Sequence, residues 1–250
     1  MPLLDKDQIG RDLEKFSEVF YHFWNFVNVQ ETTSIPTAAV SFDKKGKCIV
    51  LAINPEFWKT LSYKRQLAVL GHEFLHISLK HGNKSKSLIK DGRRSELKIA
   101  NVAMDLCVNR ILTTAFGFDR KDFDPNSEYC WTDTVFKGMN PLPNPDKYFE
   151  YYFNLLKDNA IKINVQIATG DGTGEGGGLL DSHEGLEGLD DETIKDILDE
   201  VESRTHQDEA KDFLDKIKNA NNPKDKDKDG KNPGGKQAGS EAGNSFLQCK

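Results

Sequence analysis

The segment LAVLGHEFLHISLKHG, residues 67–82, constrains the fold more than any other part of the chain. Leu67, Val69, Leu70, Phe74, Leu75, Ile77 and Leu79 make a helix here apolar nearly all round, and such a helix is buried. Two histidines and a glutamate go into the interior with it. Burying them is costly unless something pairs with them, and a metal ion does that well. Any fold must therefore place a cation, or polar partners, against the middle of this helix.

At 3.6 residues per turn, His72 and His76 project from one face one turn apart, so two imidazoles can meet one tetrahedral zinc ion. Glu73 lies beside them, angled away from direct ligation. From there its carboxylate can take a proton from a water whose pKa the metal lowers toward 7, and pass it to a leaving amine. Six His and sixteen Glu in 250 positions predict only about 0.01 chance occurrences of this HExxH pattern. The bland alternative is a packed helix whose histidines make ordinary hydrogen bonds.

Zinc peptidases use a third protein ligand. His81 follows His76 by five residues, which is not the HExxHxxGxxH spacing of metzincins, and on a continuing helix it points away from the metal. It could instead bind a carbonyl at the helix end or line the cleft. Asp105 is better placed. The helix carrying NVAMDLCVN presents Asp105 and Asn109 at i and i+4, so Asp105 could ligate while Asn109 orients a ligand histidine through its second nitrogen. The pair resembles the Glu-xxx-Asp arrangement of gluzincins, each side chain replaced by a shorter or neutral relative. An alternative register puts Asn101 at the ligand position with Asp105 behind it, but Asn is a poor zinc ligand. A purely structural Asp105 would be an N-cap or half of a buried ion pair. His183, in DSHEG, reads as a solvated loop histidine or, if its segment reaches the cleft, as a substrate contact. His22 and His206 have no such context.

Along the chain, Ile9, Leu13, Phe16, Val19, Phe20, Phe23 and Val27 recur at helical spacing and predict one long amphipathic helix over 8–27, its aromatic stripe in the core. Runs at Thr37–Phe42 and Cys48–Ile53, joined by DKKGK, predict a β-hairpin. Pro55 can open a short helix, and Ser62 can cap the HExxH helix, expected to run from Tyr63 to His81 with Gly82 as its stop. A polar, basic loop over 83–94 follows, then a helix capped by Ser95 and running to Leu112, apolar on most of its circumference and hence buried. Residues 116–145 look irregular. A helix is expected around Tyr148–Leu156, a glycine-rich loop at 170–178, and an acidic helical segment over 190–220 with Ile194, Ile197, Leu198 and Val201 at helical spacing. The expected division is one domain over 1–215, its core about 8–160, and a low-complexity linker over 216–250 with almost no apolar content. A linker leading nowhere suggests the front part of a longer polypeptide, or of one that has lost a downstream domain.

The formal charge of −6 and a pI near 5.6 leave no broad cationic face to displace counterions from nucleic acid. Cys48, Cys107, Cys130 and Cys249 form no CxxC pair, which argues against a thiolate metal knuckle or a disulfide framework and fits a reducing cytoplasm. No signal-peptide pattern opens the chain and no stretch approaches 18 uninterrupted apolar residues, so a membrane span is not expected.

GHEFLHISLKH followed by ANVAMDLCVNRIL, then a tryptophan-containing, proline-rich stretch, a Tyr-bearing helix and DSHEG, together resemble the metallopeptidase domain that precedes a von Willebrand factor A-like domain in many bacterial and phage proteins. The likeness covers roughly residues 10–215. It implies a zincin-like fold, a cytoplasmic location, and association with a von Willebrand factor A-like domain or a MoxR-type AAA+ ATPase. The expectation is thus an α+β, zincin-like metallopeptidase, mostly helical, with a small sheet packed on the HExxH helix. It would be a zinc metalloendopeptidase using Glu73 as general base and then acid on a peptide or protein substrate. The alternatives are a non-catalytic metal-binding adaptor acting with a partner such as an AAA+ ATPase, and a hydrolase of non-peptide bonds.

Overall fold

Two capping side chains shape the N-terminal segment in this computed structural model, which describes residues 4–42, 49–127, 129–159 and 191–221. The Asp5 carboxylate accepts from the Gln8 N–H to start α1 (Lys6–Glu14), and the Ser17 hydroxyl accepts from the Val19 N–H to start α2 (Glu18–Phe26). The single helix expected over 8–27 is therefore two. Ser17 is extended between them, and Phe16 turns to stack on Phe118 at 3.8 Å between ring centroids. Helical apolar spacing survives across the break because both helices bury the same side, so periodicity alone concealed it.

Chain order continues with β1 (Val27–Glu31), β2 (Ala38–Phe42) and β3 (Ile49–Ile53), in a sheet ordered β1-β3-β2. The expected β2–β3 hairpin pairing is present, antiparallel with Val40 opposite Leu51. β1, whose first residue Val27 was expected to end the helix, pairs parallel with β3, Val29 opposite Leu51. That makes β3 the central strand, and its run IVLAI is buried on both faces, as central strands are. Among the described residues, β2 is left with one unpaired edge.

Asn54 caps α3 (Pro55–Thr60), and Ser62 caps α4 (Tyr63–Ser78) by accepting from the Arg65 N–H. α4 is the axis of the molecule. Leu70, Phe74 and Leu75 are fully buried, each worth roughly 1.5–3 kcal/mol, and Phe23 of α2 stacks on Phe74. At Gly71 a Cβ would come within 3.1 Å of Leu112 and 3.2 Å of Phe118, so this glycine permits close approach immediately before His72.

α4 ends at Ser78, three residues before the expected stop at His81. Lys80 takes a left-handed conformation at φ 52°, a strained choice for a residue with a Cβ, and reverses the chain into α5 (His81–Lys90). The polar loop expected over 83–94 is thus largely helix. It forms because His81, Gly82, Ser85 and Leu88 share a buried face, a stripe too polar to register as core in sequence. A 3₁₀ turn at Arg94–Glu96 leads into α6 (Leu97–Ala115), which starts without the expected Ser95 side-chain cap. α6 lies between two apolar clusters, Val108, Ile111 and Leu112 packing toward α4, and Ala103, Leu106 and Cys107 toward α9 (Phe149–Asn159). Apolar positions on most of its surface follow from that placement.

The stretch expected to be irregular holds two short helices, α7 (Arg120–Phe123) and α8 (Thr132–Val135). The acidic segment forms α10 (Asp191–Arg204) and α11 (Gln207–Asn221), which pack against α2 and α6 through Leu198, Val201 and Phe213. The molecule is thus α+β and mostly helical. The glycine-rich segment, His183 and the tail lie outside the described residues. No described helix is long and apolar enough to cross a membrane.

One surface contact ties α1 to α4. Asp12 accepts from Lys15 just past its helix, from Gln8 within it and from the Tyr63 hydroxyl at 2.8 Å, and these bonds hold its carboxyl down at about 2 from an ordinary 3.8. A depressed carboxylate stabilises the fold above its unfolded value, and that stability is lost as pH falls through about 2. Asp12→Asn should therefore cost about 0.5–1 kcal/mol at pH 7, with the difference from wild type closing as urea unfolding is repeated down to pH 2.

Candidate metal centre

The α4 face carrying His72 and His76 meets the α6 face carrying Asp105 and Asn109. His72 Nε2 and His76 Nε2 are 2.9 Å apart, and Asp105 Oδ1 lies 3.5 Å from the first and 3.4 Å from the second. Among the described residues these are the His, Cys, Asp and Glu side chains that converge as a possible metal-holding group. Metal bonds of about 2.0–2.1 Å in a tetrahedron put neighbouring donor atoms roughly 3.3–3.4 Å apart, so this triangle has the size of one tetrahedral face. Imidazole nitrogen with carboxylate oxygen is a donor set suited to first-row divalent ions. The residues fit a metal.

The surroundings prepare both imidazoles to donate lone pairs inward. Asn109 Nδ2 donates to the Cys130 carbonyl at 3.1 Å, which turns Asn109 Oδ1 toward His72 Nδ1 at 2.9 Å. An amide oxygen only accepts, so His72 carries its proton on Nδ1 and presents a bare Nε2 to Asp105. His76 Nδ1 meets His81 Nδ1 at 3.0 Å. With His76 as donor and His81 as acceptor, His76 Nε2 is bare as well. The Lys80 reversal creates this contact, because on an uninterrupted helix a residue five further on would be rotated by about 140°. His81→Ala should accordingly weaken metal affinity by about 10–100-fold, read by competition with a chromophoric chelator.

Every polar group of this centre is buried: His76 is 0% exposed, Asn109 1%, Glu73, Asp105 and His81 2%, and His72 7%. Ionisable groups that deep carry a penalty of several kcal/mol each unless compensated. Glu73 does not join the triangle. With His72 and Val69 it lines a small, solvent-open recess, whose other walls are Thr37, Ala38, Phe57 and Tyr129. Glu73 therefore borders both the metal-holding face and the recess through which a reactant can approach it.

The structure brings together His72, His76 and Asp105, in the register where Asp105 rather than Asn101 reaches the imidazoles, with Glu73, Asn109 and His81 adjoining them. Sequence reasoning passed over Tyr129 and Phe57 as pocket walls and Cys130 as the carbonyl partner of Asn109, while Thr37 was expected to open the first strand of the hairpin. Tyr129 and Cys130 sit in an irregular segment and Phe57 in the six-residue α3, stretches too short or too irregular for periodicity to project.

No curated protein and no solved structure matches the chain. A family model described as "Putative metallopeptidase domain" matches residues 39–242, taking in α4, α6 and every residue of the centre. With most of its 250 residues inside that match, the chain belongs to this metallopeptidase-domain family.

Proposed function

We propose that this protein is a zinc-dependent endopeptidase with a zincin-like site, in which His72, His76 and Asp105 hold the metal and Glu73 moves the proton. The observation that carries the reading is the buried triangle of two imidazoles and a carboxylate beside a glutamate that opens on a pocket. Zinc bound there would supply a Lewis acid that polarises a peptide carbonyl and lowers the pKa of water toward 7. Glu73 accepts the proton of the attacking water and returns it to the departing amine. Its burial beside the metal-holding face keeps bulk water from competing for that proton.

The sheet bears on substrate. β3 is paired on both sides, so of the two hairpin strands only β2 has a free edge among the described residues, and the pocket is lined by its first residue, Ala38, and by Thr37 just before it. An extended peptide adding to that edge brings its backbone past His72 and Glu73. Zinc-loaded protein should cleave members of a peptide library, stop on addition of a strong chelator and resume with added zinc. Failure of the zinc-loaded protein to cleave any member would remove the peptidase reading and leave a metal-binding adaptor.

A further inference from the structure

Asp124 is a buried carboxylate outside the triangle of donors, only 2% exposed, and burial that deep is costly unless strong partners replace the lost hydration. Its Oδ2 accepts from the Tyr129 N–H at 3.3 Å and from the Trp131 indole N–H. The Thr134 hydroxyl closes the other side, accepting from the Trp131 N–H at 3.0 Å and donating to the Tyr129 carbonyl at 3.0 Å. The flanking helices α7 and α8 have four residues each, too few to hold the segment between them by their own backbone bonds. Side chains do it instead. Both neighbours of Cys130 are tied down, and Cys130 offers its carbonyl to Asn109 Nδ2 at 3.1 Å, while Asn109 Oδ1 meets His72 Nδ1 at 2.9 Å.

We infer that Asp124 and Thr134 are positioning residues of the metal centre: they clamp residues 129–131 so that the Cys130 carbonyl fixes the Asn109 amide, and the amide fixes His72. The asparagine χ2 is a broad, soft torsion, and either end of the amide can face a neighbour. A carbonyl held against Nδ2 decides which. With that carbonyl in place the amide oxygen faces His72, the imidazole proton stays on Nδ1, and Nε2 is bare for the metal. Should the carbonyl drift, the amide can turn its NH₂ toward His72 Nδ1 instead. His72 then carries its proton on Nε2, the atom that has to meet the cation, and binding must displace it.

The inference rests on the metal-binding reading, and the experiment separates the two. Zinc affinity is measured by competition with a chromophoric chelator for wild type, Asp124→Ala, Asp124→Asn, Thr134→Val and Thr134→Ser, with the Ala and Val changes repeated in an Asn109→Ala background. Thermal unfolding of the metal-free proteins runs alongside. Asn109→Ala, which strips the partner from a ligand, should weaken zinc binding about 10–100-fold, and Asp124→Ala or Thr134→Val, acting one bond further out, about 3–10-fold. Asp124→Asn and Thr134→Ser keep an accepting oxygen in place and should stay within about twofold of wild type. In the Asn109→Ala background neither Asp124→Ala nor Thr134→Val should weaken binding further, because the link they act through is already cut. Thr134→Val is close to isosteric and carries the test if Asp124→Ala does not fold. A lower Tm with wild-type zinc affinity, or the same loss with and without Asn109, overturns the positioning role and leaves the metal centre intact. Wild type that takes up no zinc overturns the centre itself.

Discussion

With His72→Ala and His76→Ala combined, the purified protein should carry no zinc, whereas wild type carries one ion per chain. Two of the three donors at 2.9–3.5 Å are then missing, and a single carboxylate does not hold a first-row cation against competing buffers. The thermodynamic signature is as specific as the metal content. A ligand that binds only the folded state stabilises it by about 4 kcal/mol at a thousand times its dissociation constant, which for a domain of this size raises Tm by roughly 8–16 °C. Added zinc should produce that shift in wild type and none in the double variant. The metal-free proteins should differ far less, because removing two buried imidazoles also removes the cost of burying them. Zinc retained by the double variant would show that the imidazoles are packing groups.

Glu73→Gln should keep the ion and lose the reaction. Glutamine has nearly the size of glutamate, and Glu73 stands outside the triangle of donors, so metal content and fold should match wild type. A neutral amide oxygen cannot take up a proton and return it. Removing a positioned general base typically costs about 10²–10⁴ in rate, and peptide turnover should fall by at least that much. The comparison is single-turnover cleavage of a peptide identified from the library, with zinc content measured on the same samples. Turnover within a few-fold of wild type would exclude Glu73 as the proton carrier.

Much of this arrangement was legible because it lies on two helices with ordinary geometry. The i, i+4 spacing of His72 and His76 and of Asp105 and Asn109 fixes which side chains share a face, whatever the rest of the chain does. The apolar surroundings of both helices required them to be buried against each other or against a common core. What lay beyond reach depends on single backbone choices. Lys80 adopts φ 52° where the sequence offers Gly82 as the natural stop, and that one residue decides whether His81 faces His76 or solvent. Ser17 divides a stripe that looks continuous, and β1 begins at Val27, where helix spacing had not yet run out. Cys130 and Tyr129 reach the centre through a segment ordered by the Asp124 and Thr134 side chains, a network no short-range pattern announces.

The most direct test is anomalous diffraction at the zinc edge from crystals of zinc-loaded wild-type protein. A single peak about 2.0–2.2 Å from His72 Nε2, His76 Nε2 and Asp105 Oδ1 is expected. Well-ordered crystals with no peak there, the two imidazoles bonded only to each other and to protein neighbours, would contradict it.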